Sequence, residues 1–181
     1  MPPEGGTLRN DNLFHHHTHD MHRLFTALRT LAYGIGFVWL WGWIALGARA
    51  YDRQLPILLP VWSPIPGIIL MSVGGLCVLA CLITFLIRGK GTPAPFDPPR
   101  EFVAVGPYRY VRNPMYIGGW LVLAGFGLYE ESISILLFSL AWLLIFHLFV
   151  LLVEEPGLTK RFGESYVEYK KSVNRWVPRW K

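Results

Sequence analysis

The segment RNPMYIGGWLVLAGFGLYEESISILLFSLAWLLIFHLFVLLVEEP, residues 112–156, contains two long apolar runs with charged residues at both ends and in the middle. Residues 114–129 form the first run, and residues 132–153 form the second after only two glutamates. So short a connection between apolar helices predicts a helical hairpin. The two ends of the hairpin, with Arg112 and Glu154, are therefore expected to lie at one face of a membrane.

The composition of the chain supports a membrane protein. Of 181 residues, 52% are hydrophobic, 15% are aromatic and only 16% are charged, which is unusual for a soluble domain of this length. Residues 31–48 and 67–87 are two further apolar runs, each long enough to cross about 30 Å of hydrocarbon as a helix. We therefore expect an all-α integral membrane bundle with about four transmembrane helices and a C-terminal amphipathic helix at the cytosolic face.

Lys and Arg residues set the expected orientation. Three precede the first run, five lie between the second and third runs, and seven follow the fourth, whereas only Arg49 and Arg53 lie on the other side. The positive-inside rule then places both termini in the cytosol. We expect a cytosolic tail at residues 1–30 and a single membrane domain at residues 31–181, whose segment 156–181 is also cytosolic. The net charge of +5 reflects this topology and contact with anionic lipid, and no nucleic-acid pattern is present.

The third apolar run has the signals of a helix start. Asn113 is a preferred N-cap residue, and Pro114 suits the first helical position. The exposed N–H groups of such a start, with Arg112 beside them, would bind a carboxylate or phosphate. Alternatively, Asn113 only caps the helix and Arg112 marks the membrane interface. This run is short, and its glycines, including Gly118, would permit close helix packing.

The acidic pair at the end of the fourth run is harder to explain as a helix end. Glu154 and Glu155 lie where the helix dipole disfavours carboxylates, so a cationic partner is expected. Pro156 predicts that the helix ends at Glu155 and that the two side chains diverge. His147 lies on nearly the same helix face and deeper, as a site residue or as a histidine bonded to another helix. The alternative for both glutamates is a charged helix end at the interface.

The C-terminal segment has an amphipathic pattern. Apolar and aromatic residues recur at spacings of three and four, with Lys and Arg between them, which predicts a helix on the inner leaflet that is interrupted at Gly163. Trp176 and Trp180 are expected to be interfacial anchors. The recurring positions are Leu158, Phe162, Tyr166, Tyr169 and Val173.

Two motifs together resemble a known superfamily of membrane enzymes. GPYRYVRNPMYIGG and, one hairpin later, EEPGLTKRFGESYVEYKKSVNRWVPR are similar to the signature of the isoprenylcysteine carboxyl methyltransferase and phospholipid methyltransferase superfamily, over residues 106–179. The resemblance implies an S-adenosylmethionine-dependent methyltransferase whose cofactor is held at the cytosolic side by the last helices and the C-terminal segment. Its other substrate would be a membrane lipid or another lipophilic acceptor.

The cofactor named by the resemblance suits the charged residues above. Its carboxylate would lie near Arg112, its cationic groups would face the glutamates, and its adenine would stack on tyrosine. Glu154 and Arg112 are the candidate catalytic residues, and no metal is predicted. The candidate cofactor-binding residues are Tyr108, Arg112, Asn113, Pro114, Tyr116, Gly118, His147, Glu154, Glu155 and Tyr169.

The acceptor stays open between a carboxylate, an amine and a thiol. Carboxyl-methylating members of the superfamily carry an Arg just before the acidic pair, whereas residues 132–153 contain no Arg or Lys. A prenylcysteine carboxylate is therefore less favoured than a phospholipid amine or a lipophilic thiol. The non-enzymatic alternative is a membrane metal-binding or regulatory protein that uses the histidine cluster of the N-terminal tail. These histidines are His15, His16, His17, His19 and His22.

Overall fold

The computed structural model describes residues 7–55, 57–89 and 103–179, and in these ranges the chain is helical with connecting loops and no strand. This confirms the all-α prediction. The first helix begins at Thr7 and thus includes much of the segment expected to be a tail. The main helices are α1 (Thr7–Arg49), α2 (Pro64–Thr84), α3 (Pro114–Tyr129), α4 (Ile133–Phe149), α5 (Glu155–Phe162) and α6 (Glu164–Ser172). Short 3-10 turns lie at Ala50–Gln54 and Gly106–Arg109, and π-helical turns lie at Phe85–Gly89 and Val150–Glu154.

Among the described residues, three helical stretches are long and apolar enough to cross a membrane. They are Leu28–Gln54, Pro64–Ile87 and Ile133–Phe162. Helix α3 has 16 residues and reaches about 24 Å at about 1.5 Å per residue, short of the roughly 30 Å hydrocarbon core. The expected fourth span therefore stays a prediction.

Glycines allow α2 and α3 to pack with their backbones in contact. A Cβ atom added to Gly74 would lie 2.5 Å from the carbonyl oxygen of Gly118, and one added to Gly67 would lie 2.7 Å from that of Gly125. Only glycine fits such an approach. A Cβ atom added to Gly118 would likewise lie 2.8 Å from the carbonyl oxygen of Gly74, so this residue contacts α2. Its expected role at the cofactor stays a prediction.

Helix α4 packs between α3 and α1 around an aromatic core. Trp142 is buried, and its ring lies 4.2 Å from that of Phe146 and 6.1 Å from that of Trp41, measured between centroids. Ile135 and Leu123 complete this core. The spatial order of the bundle is therefore α2, α3, α4, α1.

The end of the bundle at the α3–α4 turn is closed by polar contacts. The Oγ atom of Ser132 accepts a hydrogen bond from the N–H of Ile135 at 3.2 Å, and Oδ1 of Asp52 accepts one from the N–H of Ser134 at 2.8 Å. Both capping contacts satisfy free N–H groups at the start of α4. An ion pair also joins Arg49 to Glu130. The C-terminal end of α1 thus lies beside the start of α4, at the end of the bundle opposite Glu154.

The prediction that the fourth helix ends at Glu155 is wrong. A π-helical turn, Val150–Glu154, joins α4 to α5, and Glu155 itself has helical angles of φ −62° and ψ −41°. Pro156 lacks an N–H and its ring crowds the preceding turn, and the wider π turn is a common way to accommodate this. The predicted interruption at Gly163 is confirmed, since this residue has φ 56° between α5 and α6.

Candidate active site

Glu155 is the centre of an ion-pair cluster at the end of the bundle that carries α5. Its Oε1 atom lies 2.8 Å from Nε of Arg175 and 3.1 Å from Nη1 of Arg112, and its Oε2 atom accepts from Nη2 of Arg175 at 2.9 Å. Glu155 is 8% exposed. Two-pronged pairing with arginine is the strongest geometry available to a carboxylate. The cationic partner expected for the acidic pair is therefore supplied, at Glu155, by the protein itself.

The loop before α3 is held by the C-terminal segment. The backbone N–H of Arg112 donates to the carbonyl of Asn174 at 2.9 Å, and Nδ2 of Asn113 donates to that of Arg175 at 3.4 Å. Asn113 occupies the N-cap position of α3, with Pro114 at the first turn, but its side chain makes no capping hydrogen bond. The predicted side-chain cap is wrong because the amide is bonded to the C-terminal segment instead.

Glu154 points away from this cluster and toward the bundle. Its Oε2 atom accepts a hydrogen bond from the hydroxyl of Tyr116 at 2.7 Å, and this is its single hydrogen bond within the described residues. The ring of Tyr116 packs on Phe146 with centroids 5.2 Å apart. The two glutamates therefore diverge, as predicted, and Glu154 has no cationic partner among the described residues.

His147 contacts the C-terminal segment. Its Nδ1 atom accepts a hydrogen bond from Nε1–H of Trp176 at 3.0 Å, and the two rings lie 5.9 Å apart. Because Nδ1 is an acceptor here, a neutral imidazole carries its proton on Nε2. Trp176 was expected to be an interfacial anchor, and the structure places it against a membrane helix. Trp180 lies outside the described residues.

Three tyrosines form a buried group behind the ion-pair cluster. The hydroxyl of Tyr169 donates to the backbone carbonyl of Tyr108, whose ring meets Phe85 edge-on at 5.3 Å. Burial raises the pKa of Tyr166 to about 12 and also raises those of Tyr108 and Tyr169. These phenols are thus neutral near pH 7 and join the loop before α3 to helix α6.

Most of the sequence-predicted residues do come together at this end of the bundle. Arg112, Asn113 and Glu155 share contacts with the C-terminal segment, while Tyr116 and Glu154 form a separate pair. Sequence reasoning missed Arg175 and the role of Trp176. The two adjacent glutamates indicated that a basic residue should lie close to them. The C-terminal segment contains seven Lys and Arg residues, however, and the sequence does not show which of them is the partner.

The donor set suits a ligand that carries charges of both signs. Nε of Arg112 is buried without a hydrogen-bond partner in the described structure, and Glu154 is a carboxylate with only a neutral partner. The free Nε–H of Arg112 is suited to the carboxylate of an amino acid group, and the carboxylate of Glu154 is suited to its ammonium. S-Adenosylmethionine carries both groups, so the residues present fit this cofactor.

The described residues hold no comparable arrangement for a metal. Within the described ranges no group of three or more histidine, cysteine, aspartate or glutamate side chains could hold an ion. The side chains of the histidine cluster, residues 15–22, lie outside the described residues. Cys77 and Cys81 are free thiols in α2.

The fold and this cluster define a helical membrane protein with a charged site at one end of its bundle. Residues 62–165, more than half of the chain, match the phospholipid methyltransferase family, and the chain belongs to that family. This confirms the resemblance and implies a membrane methyltransferase. No curated protein matches the chain. The family match ends before Arg175 and Trp176, which contact the site from outside the matched region.

Proposed function

We propose that this protein transfers a methyl group from S-adenosylmethionine to a lipophilic acceptor at the cytosolic face of the membrane. The sulfonium already activates the methyl group, so the chemistry requires no metal. The family supports methyl transfer, and the distribution of Lys and Arg supports a cytosolic site with both termini on that side. The cytoplasmic membrane is the expected location.

One observation carries the proposal. Glu154 is a partly buried carboxylate whose one hydrogen-bond partner among the described residues is Tyr116, while the neighbouring Glu155 is already neutralised by Arg112 and Arg175. A carboxylate without a cationic partner, at the end of an apolar helix, is costly unless a ligand supplies the positive charge. The formal charges of the two glutamates and two arginines sum to zero, which suits a ligand with charges of both signs.

Each residue has a defined task in this proposal. The bound cofactor supplies a methyl group that is already activated on a sulfonium. Glu154 binds the cationic part of the cofactor, and the free Nε–H of Arg112 with the N-terminal end of α3 binds its carboxylate. The aromatic side chains around Tyr116 exclude water, so the protein contributes alignment of the reacting atoms and a dry site.

The acceptor group that fits this site best is one that can bind without a buried cation beside it. Helix α4 contains no Arg or Lys that would hold a substrate carboxylate. A phospholipid amine or a lipophilic thiol fits better. Either acceptor must lose a proton in the course of the transfer.

The proposal is tested with the full chain purified in detergent. We expect saturable binding of S-adenosylhomocysteine in calorimetry, and transfer of label from S-adenosylmethionine into a total lipid extract. The chemical class of the labelled product then identifies the acceptor. Absence of saturable binding by protein that retains its helical circular dichroism would overturn the proposal.

A further inference from the structure

A concave surface lies beside the ion-pair cluster, where α5 meets α6. It is an open groove of about 500 Å³. Neither Glu154 nor Tyr116 lines it, so it is separate from the pair assigned to methyl transfer. We call it the basic groove, and its lining residues are Leu151, Glu155, Pro156, Thr159, Lys160 and Lys170.

The ammonium of Lys170 is held in place at this groove. Its Nζ atom donates to Oγ1 of Thr159 at 3.2 Å and lies 5.3 Å from the ring centroid of Tyr166. The hydroxyl of Thr159 is itself oriented, since it donates to the carbonyl of Glu155 at 2.8 Å. An ammonium has three N–H donors, and one of them is used by Thr159. Lys170 can therefore also donate a hydrogen bond to a ligand. Lys160 is exposed at the same groove.

The groove has a net positive charge despite its glutamate. Glu155 is paired with Arg112 and Arg175, so its carboxylate does not neutralise the two lysines. A positive surface attracts phosphate groups.

Two of the residues that line the groove, Leu151 and Pro156, are apolar. Leu151 lines it and is 41% exposed, and the next residues, Leu152 and Val153, are 67% and 56% exposed. They belong to the stretch Ile133–Phe162, which is long and apolar enough to cross a membrane. The basic groove thus joins a hydrocarbon-facing surface to two ammonium groups.

We propose that the basic groove binds an anionic glycerophospholipid of the adjacent leaflet, with its phosphate between Lys160 and Lys170 and an acyl chain along Leu151. The charge of the lysines matches the phosphate, and the exposed leucines match the chain. This binding site goes beyond the proposed methyl transfer, because the lipid held here is not required to be the acceptor.

Titration of the detergent-purified full chain with phosphatidylglycerol, followed by native mass spectrometry, tests the proposal. Phosphatidylcholine is the zwitterionic comparison and glycerol phosphate is the soluble one. Lys160→Gln and Lys170→Gln are each expected to weaken phosphatidylglycerol binding about fivefold, equivalent to about 1 kcal/mol. Lys171→Gln is the matched control, since Lys171 is exposed and pairs with Glu168 at 3.1 Å.

Lys170→Arg keeps the charge and is expected to keep the affinity, which separates loss of charge from loss of fold. Equal weakening by Lys171→Gln would overturn the proposal, as would equal affinity for phosphatidylcholine. If glycerol phosphate displaced bound phosphatidylglycerol as effectively as the lipid itself does, the acyl chain would not contribute to binding. The groove would then be a phosphate site, and the proposal of a lipid site would be overturned. Competition by S-adenosylhomocysteine would assign the groove to the cofactor. Because no methyl transfer is measured, failure of the proposed function leaves this test intact.

Discussion

Arg175 donates from Nε and Nη2 to the two carboxylate oxygens of Glu155, at 2.8 and 2.9 Å. Arg112 approaches the same carboxylate at 3.1 Å. The three residues come from the C-terminal segment, the start of α5 and the loop before α3. This carboxylate therefore joins three parts of the chain that are distant in sequence and fixes the shape of the site.

Loss of the central carboxylate is expected to destabilise the fold. Glu155→Gln leaves Arg112 and Arg175 close together without a counter-charge, and we expect the free energy of unfolding to fall by about 3 kcal/mol. Denaturant unfolding in detergent measures this change. Glu168→Gln is the control, because Glu168 is 76% exposed in its pair with Lys171 and should contribute at most about 1 kcal/mol. Equal effects of the two variants would contradict the prediction.

Glu154 is expected to act on ligand binding more than on stability. Glu154→Gln keeps the size of the side chain but removes its charge, so the affinity for S-adenosylhomocysteine should fall at least about tenfold, or about 1.4 kcal/mol. Tyr116→Phe keeps the charge and removes one hydrogen bond, so its effect should be smaller. Calorimetry on both variants checks the order. Unchanged affinity in Glu154→Gln would leave the family assignment intact and refute the proposed site.

Adjacent glycines of α2 offer a matched test of helix packing. Gly74→Ala places a methyl group 2.5 Å from the carbonyl oxygen of Gly118, whereas Gly75→Ala meets nothing within 4 Å. We expect the first change to lower stability by about 1 to 3 kcal/mol through overpacking. The second change should be neutral or slightly stabilising, since alanine is the better helix former. Thermal unfolding of the two variants in one detergent makes the comparison, and similar melting temperatures would refute the contact.

The Trp176–His147 contact is expected to hold the C-terminal segment on the bundle. Trp176→Phe keeps an aromatic ring but removes the N–H that donates to Nδ1 of His147. Limited proteolysis should then cleave the segment after α6 faster than in the parent chain. Val177→Ala, at an exposed neighbour, is the control. Equal cleavage rates in the two variants would show that this hydrogen bond does not restrain the segment.

Local signals in the sequence predicted the helices well where they were strong. The predicted bounds of residues 114–129 are those of α3, because Asn113-Pro114 sets its start and the glutamates after Tyr129 set its end. Residues 67–87 overlap α2 and the π-helical turn that follows it. The end of the fourth helix was predicted wrongly, because the rule for residues before proline does not include a π-helical turn as an alternative.

The all-helical membrane class, the hairpin and the two charged clusters at one end of it could be predicted from the amino-acid sequence. Apolar run length and helix-start residues are local properties, so one sequence suffices to read them. The folded structure was needed to show that Arg112 and Arg175 both pair with Glu155 and that Glu154 is bonded to Tyr116. Pairing of charges depends on distances between segments that are far apart in sequence, 20 residues for Arg175 and Glu155. Any of the basic tail residues satisfied the pattern equally well. The path of the C-terminal segment in the folded protein places Arg175 beside Glu155.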